Sequence, residues 1–329
     1  MKEKRLFKFG ILALSIVLIA CTGGSAEAGC PEIDGREINV VATTPMIGEF
    51  VSQVGGDNIN LTVLMPAEAD PHTYDPAPQD AGAIADADLV FYTGLKYEPA
   101  ALVKLLENSA CSAEVLAEVG ENVFPIEFKE GGHDDHHDDH DEEGHDEHAG
   151  HDHGAYDPHF WFDPNRVAYA AEYIESKLVE FDPSNASEYE AAGKAYVTEL
   201  KGLVGQVSEL ISTIPSQNRK LITTHESLGY LEAKFGLEVL STIIPSIDSA
   251  NEISPSQLIG VIDVIEDNNV KVIFIESEAP SVYAETIVAE TGIKAVEGLW
   301  VETLKEGQSY PEFLLDAVEL IVENLRNTD

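Results

Sequence analysis

Short apolar runs alternate with segments of helical pattern twice along this chain, on either side of a stretch from 185 to 214 that contains no proline. That rhythm narrows the fold more than any other feature. Apolar runs separated by helices do not form hairpins; they lie as parallel strands joined by crossover helices. The runs at 38–42, 59–65 and 89–92 form the first block, and those at 220–224, 237–244, 270–275 and 293–296 the second. They are nearly continuous rather than alternating, as strands covered on both faces require. Helices of the second block are expected to begin near Glu226, Ser254, Ser281 and Tyr310, with Ser254-Pro255 matching the preference for serine at the N-cap and proline in the first turn. The expectation is an α/β protein of two lobes, each a small parallel sheet with flanking helices, joined by one long bridging helix.

Asp182-Pro183-Ser184 ends one helix and opens the bridge. At 1.5 Å per residue such a helix reaches about 45 Å, the length of a small domain. Gly193, Gly202 and Gly205 weaken it, each by up to ~1 kcal/mol relative to alanine. The expected boundaries are a signal peptide at 1–20, a polar tether at 21–36, a first lobe at 37–182, the bridge at 183–215 and a second lobe at 216–329.

Lys2, Lys4, Arg5 and Lys8 precede an apolar run from 9 to 20 that is too short to span a bilayer, and Leu18-Ile19-Ala20 stands directly before Cys21. This is an export signal. Cleavage before Cys21 and lipidation of its thiol would anchor the chain to the outer face of the cytoplasmic membrane. Cys30 and Cys111 then remain as an even pair in an oxidising compartment, where a disulfide between them is open; their spacing excludes a CxxC site. With 19 basic against 60 acidic residues and a net charge of -41, the chain repels phosphate backbones and attracts cations, so nucleic acid is excluded as a partner.

Eight of the eleven histidines, His133, His136, His137, His140, His145, His148, His151 and His153, are interleaved with carboxylates in one tract. Nothing in a hydrophobic core asks for that composition. Imidazole binds zinc, copper and nickel, and acidic neighbours favour solvated chain, so the segment 130–155 reads as a disordered accessory metal loop.

The other three histidines occupy more constrained places. His72 lies in Asp70-Pro71-His72-Thr73-Tyr74-Asp75-Pro76, and His159 in Asp157-Pro158-His159-Phe160-Trp161-Phe162-Asp163-Pro164. The prolines stiffen both loops. His225 follows the run at 220–224, at the carboxyl end of a strand, where open parallel sheets bind ligands. Three imidazoles need a fourth donor for zinc, with Glu276, Glu278 and Glu297 as candidates.

These motifs, with Ala87-Asp88-Leu89-Val90-Phe91-Tyr92 and Thr224-His225-Glu226-Ser227-Leu228-Gly229-Tyr230, resemble the cluster A-I substrate-binding proteins, the metal-binding lipoproteins of zinc and manganese ABC importers. The resemblance runs from about residue 38 to the C-terminus. It implies two lobes joined by a backbone helix, with one metal in the cleft, held by His72 and His159 from the first lobe and His225 from the second. The family offers an aspartate followed by Pro-Leu or Ser-Leu after the last strand. Glu297 is the match taken for it here, with Glu276 or a water as alternatives. Manganese relatives tend to place glutamate where this chain has His225, and three imidazoles suit zinc better than manganese, with nickel and copper as further alternatives. The implied partners are a membrane permease and its ATPase, and the chain is expected to be a monomer. A zinc hydrolase is the main competing reading, with a surface adhesin holding a structural metal as another. No HExxH helix is present, and the chain is not expected to be an enzyme.

Overall fold

The computed structural model describes residues 30, 33, 35–128, 155–246, 252–278 and 281–327. The expected signal segment at 1–20, Cys21 and the histidine tract at 133–153 lie outside these residues.

The first lobe is built from β1 (Ile38–Ala42), α1 (Pro45–Gly55), β2 (Ile59–Val63), α2 (Pro78–Ala85), β3 (Leu89–Tyr92), α3 (Ala100–Ser109) and β4 (Leu116–Glu118), followed by α4 (Pro164–Phe181). The long helix α5 (Ala186–Ser212) leads to the second lobe: β5 (Lys220–Thr223), α6 (Gly229–Phe235), β6 (Glu238–Thr242), α7 (Pro255–Asn268), β7 (Val272–Glu276), α8 (Ala284–Thr291), β8 (Lys294–Leu299) and α9 (Tyr310–Leu325). Both sheets are parallel and share one topology, β2-β1-β3-β4 and β6-β5-β7-β8. The first strand of each has a neighbour on both sides, so the chain reverses its direction of winding there. The crevice outside the carboxyl ends of such strands is where open sheets bind ligands.

Four of these elements differ from expectation. Strand β4 was missed because three residues carry too little pattern. Helices α6 and α8 begin three residues later than expected, at Gly229 and Ala284. Strand β8 continues to Leu299 rather than stopping at Val296, through Gly298 at φ 96°, a backbone angle that glycine adopts without strain. This last difference bears directly on the metal site.

Strand side chains alternate between two cores. In β1, Ile38, Val40 and Ala42 join a large central core while Val41 faces the outer core of the first lobe. In β7, Val272 and Phe274 join the central core, and Ile273 and Ile275 the outer core of the second lobe. The central core is continuous from β1 through α4, α5 and α9 to β8, so the two lobes share one hydrophobic interior. Helix α5, about 40 Å long at 1.5 Å per residue, lies against α1, α4 and α9 at its centre. Local chemistry starts the helices: Thr44 accepts from Ile47 N ahead of Pro45, Asp163 accepts from Asn165 N ahead of Pro164, and Ser254 and Ser309 form capping boxes with Gln257 and Glu312. Cys30 is joined to Cys111 by a disulfide, Cα to Cα 5.0 Å, which ties the start of the described chain to the end of α3.

The glycines of α5 divide by surroundings. A Cβ on Gly193 would meet the Glu175 carboxylate of α4 at 2.2 Å, whereas nothing lies within 4 Å of one on Gly202 or Gly205. Gly202→Ala and Gly205→Ala are therefore expected each to stabilise the protein by about 0.5–1 kcal/mol, read as a higher denaturant midpoint with unchanged metal affinity. A loss of stability in either variant would mean that α5 bends or opens at that glycine.

Candidate metal centre

The two Asp-Pro-His turns fold alike. Asp70 Oδ1 accepts the backbone N–H of His72 at 3.0 Å, and Asp157 Oδ1 that of His159 at 2.9 Å. In each, the aspartate side chain closes a turn two residues on, and the proline between them presets its φ. Asp157 does more: the same oxygen takes a hydrogen bond from His159 Nδ1 at 2.8 Å. That contact leaves Nε2 as the free donor of electrons. His225 follows β5 and is treated in the same way by Glu276 at the end of β7, which accepts from His225 N at 3.2 Å and pairs closely with its Nδ1. A carboxylate behind a metal-ligating histidine fixes its tautomer and orientation.

The three imidazoles converge. Their ring centroids lie 5.4–6.4 Å apart, and the point between them is occupied by the carboxylate of Glu302. Glu302 Oε1 lies 3.4 Å from His72 Nε2, 3.2 Å from His159 Nε2 and 2.6 Å from His225 Nε2. One donor atom from each of the four residues falls within 4.8 Å of the others. The Nε2 atoms of His72 and His225 are buried and lack a hydrogen bond of acceptable direction. Buried polar atoms normally find partners, and two aimed at one carboxylate oxygen mark a place where an ion completes the set.

Electrostatics agree. Burial pushes the imidazolium forms of His159 and His225 down, but the carboxylates outweigh it: Glu302 and Asp157 raise His159 to about 9, and Glu276 and Glu302 raise His225 well above its ordinary value. Burial likewise opposes ionisation of Glu302, yet His159, His72 and His225 hold it well below the usual carboxylate range. The site is thus an anionic oxygen facing two imidazoles, those of His159 and His225, whose neighbours favour the protonated form that a cation must displace.

Glu297 is not part of this cluster. It is exposed on the edge strand β8, paired in register with Ile275. The strand runs three residues farther than its apolar pattern indicates, and the buried carboxylate comes from the loop beyond it, in Glu302-Thr303-Leu304. Like the acidic residue followed by Pro-Leu or Ser-Leu that the resemblance implies, that tripeptide follows the last strand and ends in leucine. It carries glutamate in place of aspartate. Glu276 stands behind His225 rather than beside its Nε2. Glu278 has a third role: its Oε1 accepts the backbone N–H groups of Val301, Glu302 and Thr303 at 3.0, 3.0 and 3.3 Å, holding the loop that presents Glu302. Burial raises Glu278 to about 8.

Tyr97, in the loop after β3, was not singled out from sequence because it lies in no metal-ligand pattern. Its hydroxyl donates to Glu302 Oε2 at 2.9 Å and shares the proton with the Glu302 carbonyl at 3.0 Å. Burial and the neighbouring Glu302 push this phenol well above its ordinary range, so it stays a donor. Trp161 Nε1 donates to Val301 O at 2.8 Å, pinning the same loop from the first lobe.

The remaining motif residues build the surroundings. Gly229 allows α6 to approach the His159 turn, since a Cβ there would meet Asp157 Oδ2 at 2.5 Å. Ser227 Oγ donates to Glu276 at 3.2 Å, and Tyr230 OH to the Asp157 carbonyl at 2.9 Å, across the cleft. Tyr74 OH donates to Asp80 at 2.7 Å, and Asp88 receives Arg36 through two contacts of 2.6 Å.

A family model described as the zinc-uptake complex component A, periplasmic, matches residues 40–324. The manganese-binding lipoprotein MntA of Halalkalibacterium halodurans is 24% identical over 317 residues, covering 96% of each chain. The high-affinity zinc uptake system protein ZnuA of Bacillus subtilis is 29% identical over 327 residues, again covering 96% of each. Among solved structures, the periplasmic zinc binding protein TroA from Treponema pallidum superposes with a TM-score of 0.73 at 22% identity, over 88% of this chain and 99% of that one. With a buried site built from three histidines and a glutamate between two parallel-sheet lobes, and a family match over most of its length, the chain belongs to the periplasmic component A family of zinc-uptake complexes.

Proposed function

We propose that this chain captures zinc outside the cytoplasm, holds it with His72, His159, His225 and Glu302, and delivers it to the permease and ATPase of an ABC importer. Members of the family are substrate-binding components of such importers and not enzymes. Related chains are named for manganese as well as for zinc, so the choice of cargo comes from the site itself. The observation that carries it is the donor set: three imidazole nitrogens and one carboxylate oxygen, with one donor atom from each within 4.8 Å of the rest. Zinc takes four such donors tetrahedrally, whereas manganese favours more oxygens in octahedral array. Hydrolytic zinc sites keep a position for water; here Glu302 fills it in a site where His159, His225 and Glu302 are 0% exposed.

No helix among the described residues is long and apolar enough to cross a membrane, and Cys30 is engaged in a disulfide. Cys21 is left as the thiol for a lipid anchor at the outer face of the membrane. The histidine tract at 133–153 serves as an accessory collector, and deletion of 132–154 should leave one tight site in place.

Zinc titration of the metal-free protein should give one tight site, and His225→Ala or Glu302→Ala should weaken it by more than the roughly 100-fold that loss of an outer-shell partner costs. Glu297→Ala should leave it unchanged. A Glu302→Ala variant that keeps full affinity would remove Glu302 from the site. Saturation at about 1,000 times Kd should add about 4 kcal/mol of stability, visible as a rise in Tm.

The pH dependence has two signs. His159 is raised from its ordinary 6.5 to about 9, so zinc must displace its proton below that value, and affinity should climb between pH 6 and 9. In the metal-free protein the same raised group contributes stability that is complete below 6.5 and is lost as pH rises through 9. Isothermal titration and thermal melts across this range should show the opposite slopes; a zinc affinity that is flat from pH 6 to 9 contradicts the assignment.

A further inference from the structure

We propose that Tyr97 sets the metal preference of this site by holding Glu302 as a one-oxygen ligand. The inference rests on the reading that His72, His159, His225 and Glu302 hold the metal, and it adds what makes that set select zinc.

The two oxygens of Glu302 have different duties. Oε1 faces the Nε2 atoms of all three histidines, at 2.6 to 3.4 Å. Oε2 points the other way and receives the Tyr97 hydroxyl at 2.9 Å. Turning the carboxylate so that both oxygens reach one ion would pull Oε2 off that donor and weaken a buried hydrogen bond to a charged acceptor, the stronger class. Tyr97 therefore favours the arrangement in which the carboxylate contributes a single oxygen. Zinc is satisfied by four donors in tetrahedral array. Manganese, which favours more oxygen donors, loses the one it would gain from a chelating carboxylate.

Tyr97 is placed as a residue with that duty would be. Its ring is 1% exposed and packs edge-on against His72, His159 and Trp161, at centroid distances of 5.3, 6.0 and 5.2 Å. The loop that delivers it passes through three successive positive φ angles, 76° at Gly94, 53° at Leu95 and 65° at Lys96. Leucine and lysine adopt that region only when surrounding contacts enforce it, and such strain concentrates at functional sites. The enforcing contacts are present. Glu98 accepts from Thr93 N at 2.6 Å, Gly94 N at 2.9 Å and Thr43 Oγ1 at 2.7 Å, and Glu118 accepts from Leu95 N at 2.9 Å. On the opposite side, Glu278 holds the Glu302 backbone through three N–H groups, so the carboxylate cannot follow the metal by shifting its loop. Tyr97 is a positioning residue: it touches Glu302 and acts through it.

The test compares the full chain with its Tyr97→Phe variant, which removes one oxygen and keeps the ring. Zinc and manganese affinities are measured by competition with a chromophoric chelator, and zinc K-edge absorption counts the ligands. In the parent protein the spectrum should fit three nitrogens and one oxygen at about 2.0–2.2 Å. In Tyr97→Phe a second carboxylate oxygen should enter the shell. Zinc affinity should fall by about ten- to a hundredfold, the usual effect of an outer-shell partner, while manganese affinity holds or rises. A parallel loss for both metals would assign Tyr97 a purely structural part and overturn the proposal, as would no change for either. Two carboxylate oxygens on zinc in the parent protein would overturn it without recourse to the variant. If the parent protein itself binds neither metal tightly, the assignment of the four ligands fails, and this inference falls with it.

Discussion

A carboxylate buried among three imidazoles is the interaction on which the rest of this molecule is organised. An isolated charge at 0% exposure would cost several kcal/mol, so Glu302 is tolerable only because His72, His159 and His225 face it. Those imidazoles need their own partners, which is why Asp157 stands behind His159 and Glu276 behind His225. Each layer of polar groups calls for another, until the chain ends in backbone N–H groups such as those of Val301, Glu302 and Thr303 on Glu278. Partly satisfied networks of this kind are unstable, and this one is closed almost everywhere. Among the described buried atoms that lack a hydrogen bond, the Nε2 atoms of His72 and His225 are the two that face the Glu302 carboxylate at the centre, which is where a cation belongs.

The surrounding fold supplies rigidity. Its two sheets have the same order, and α5, which joins the lobes, has α1, α4 and α9 packed on it. Because one hydrophobic core passes from β1 to α9, the lobes share an interior instead of meeting across a flexible hinge. Contacts between first-lobe aromatic residues and the Glu302 loop, from Tyr97 and Trp161, add directional bonds to that non-directional packing. Metal held between lobes this closely joined can be released only by breaking named contacts, a property suited to capture followed by handover at a membrane partner.

Much of this was legible in the residues before any fold was known. Both sheets were visible as apolar runs, since parallel strands covered on two faces leave little alternation. His72 and His159 stood out because each follows Asp-Pro, and His225 because it ends a strand. Glu302 was not legible in the same way. The apolar pattern of β8 fades after Val296, so the pattern alone ends the strand early and points to the acidic residue nearest that end, Glu297, which the structure leaves exposed. The tripeptide that carries the buried carboxylate lies five residues on. Tyr97 carries no signal at all, since one tyrosine in a loop is ordinary until its hydroxyl is seen on the second oxygen of Glu302.

Composition and pattern along the chain determine the class of fold and single out the three histidines, because those depend on local periodicity and on residue types whose chemistry is intrinsic. Which carboxylate stands among the three imidazoles is decided by tertiary structure. Glu276, Glu278, Glu297 and Glu302 are chemically alike, and only the register of β7 on β8 and the path of the following loop send one of them into the cleft, one behind a histidine, one under a backbone and one into water. Their roles differ because burial and neighbours differ, and neither is a property of the residue itself.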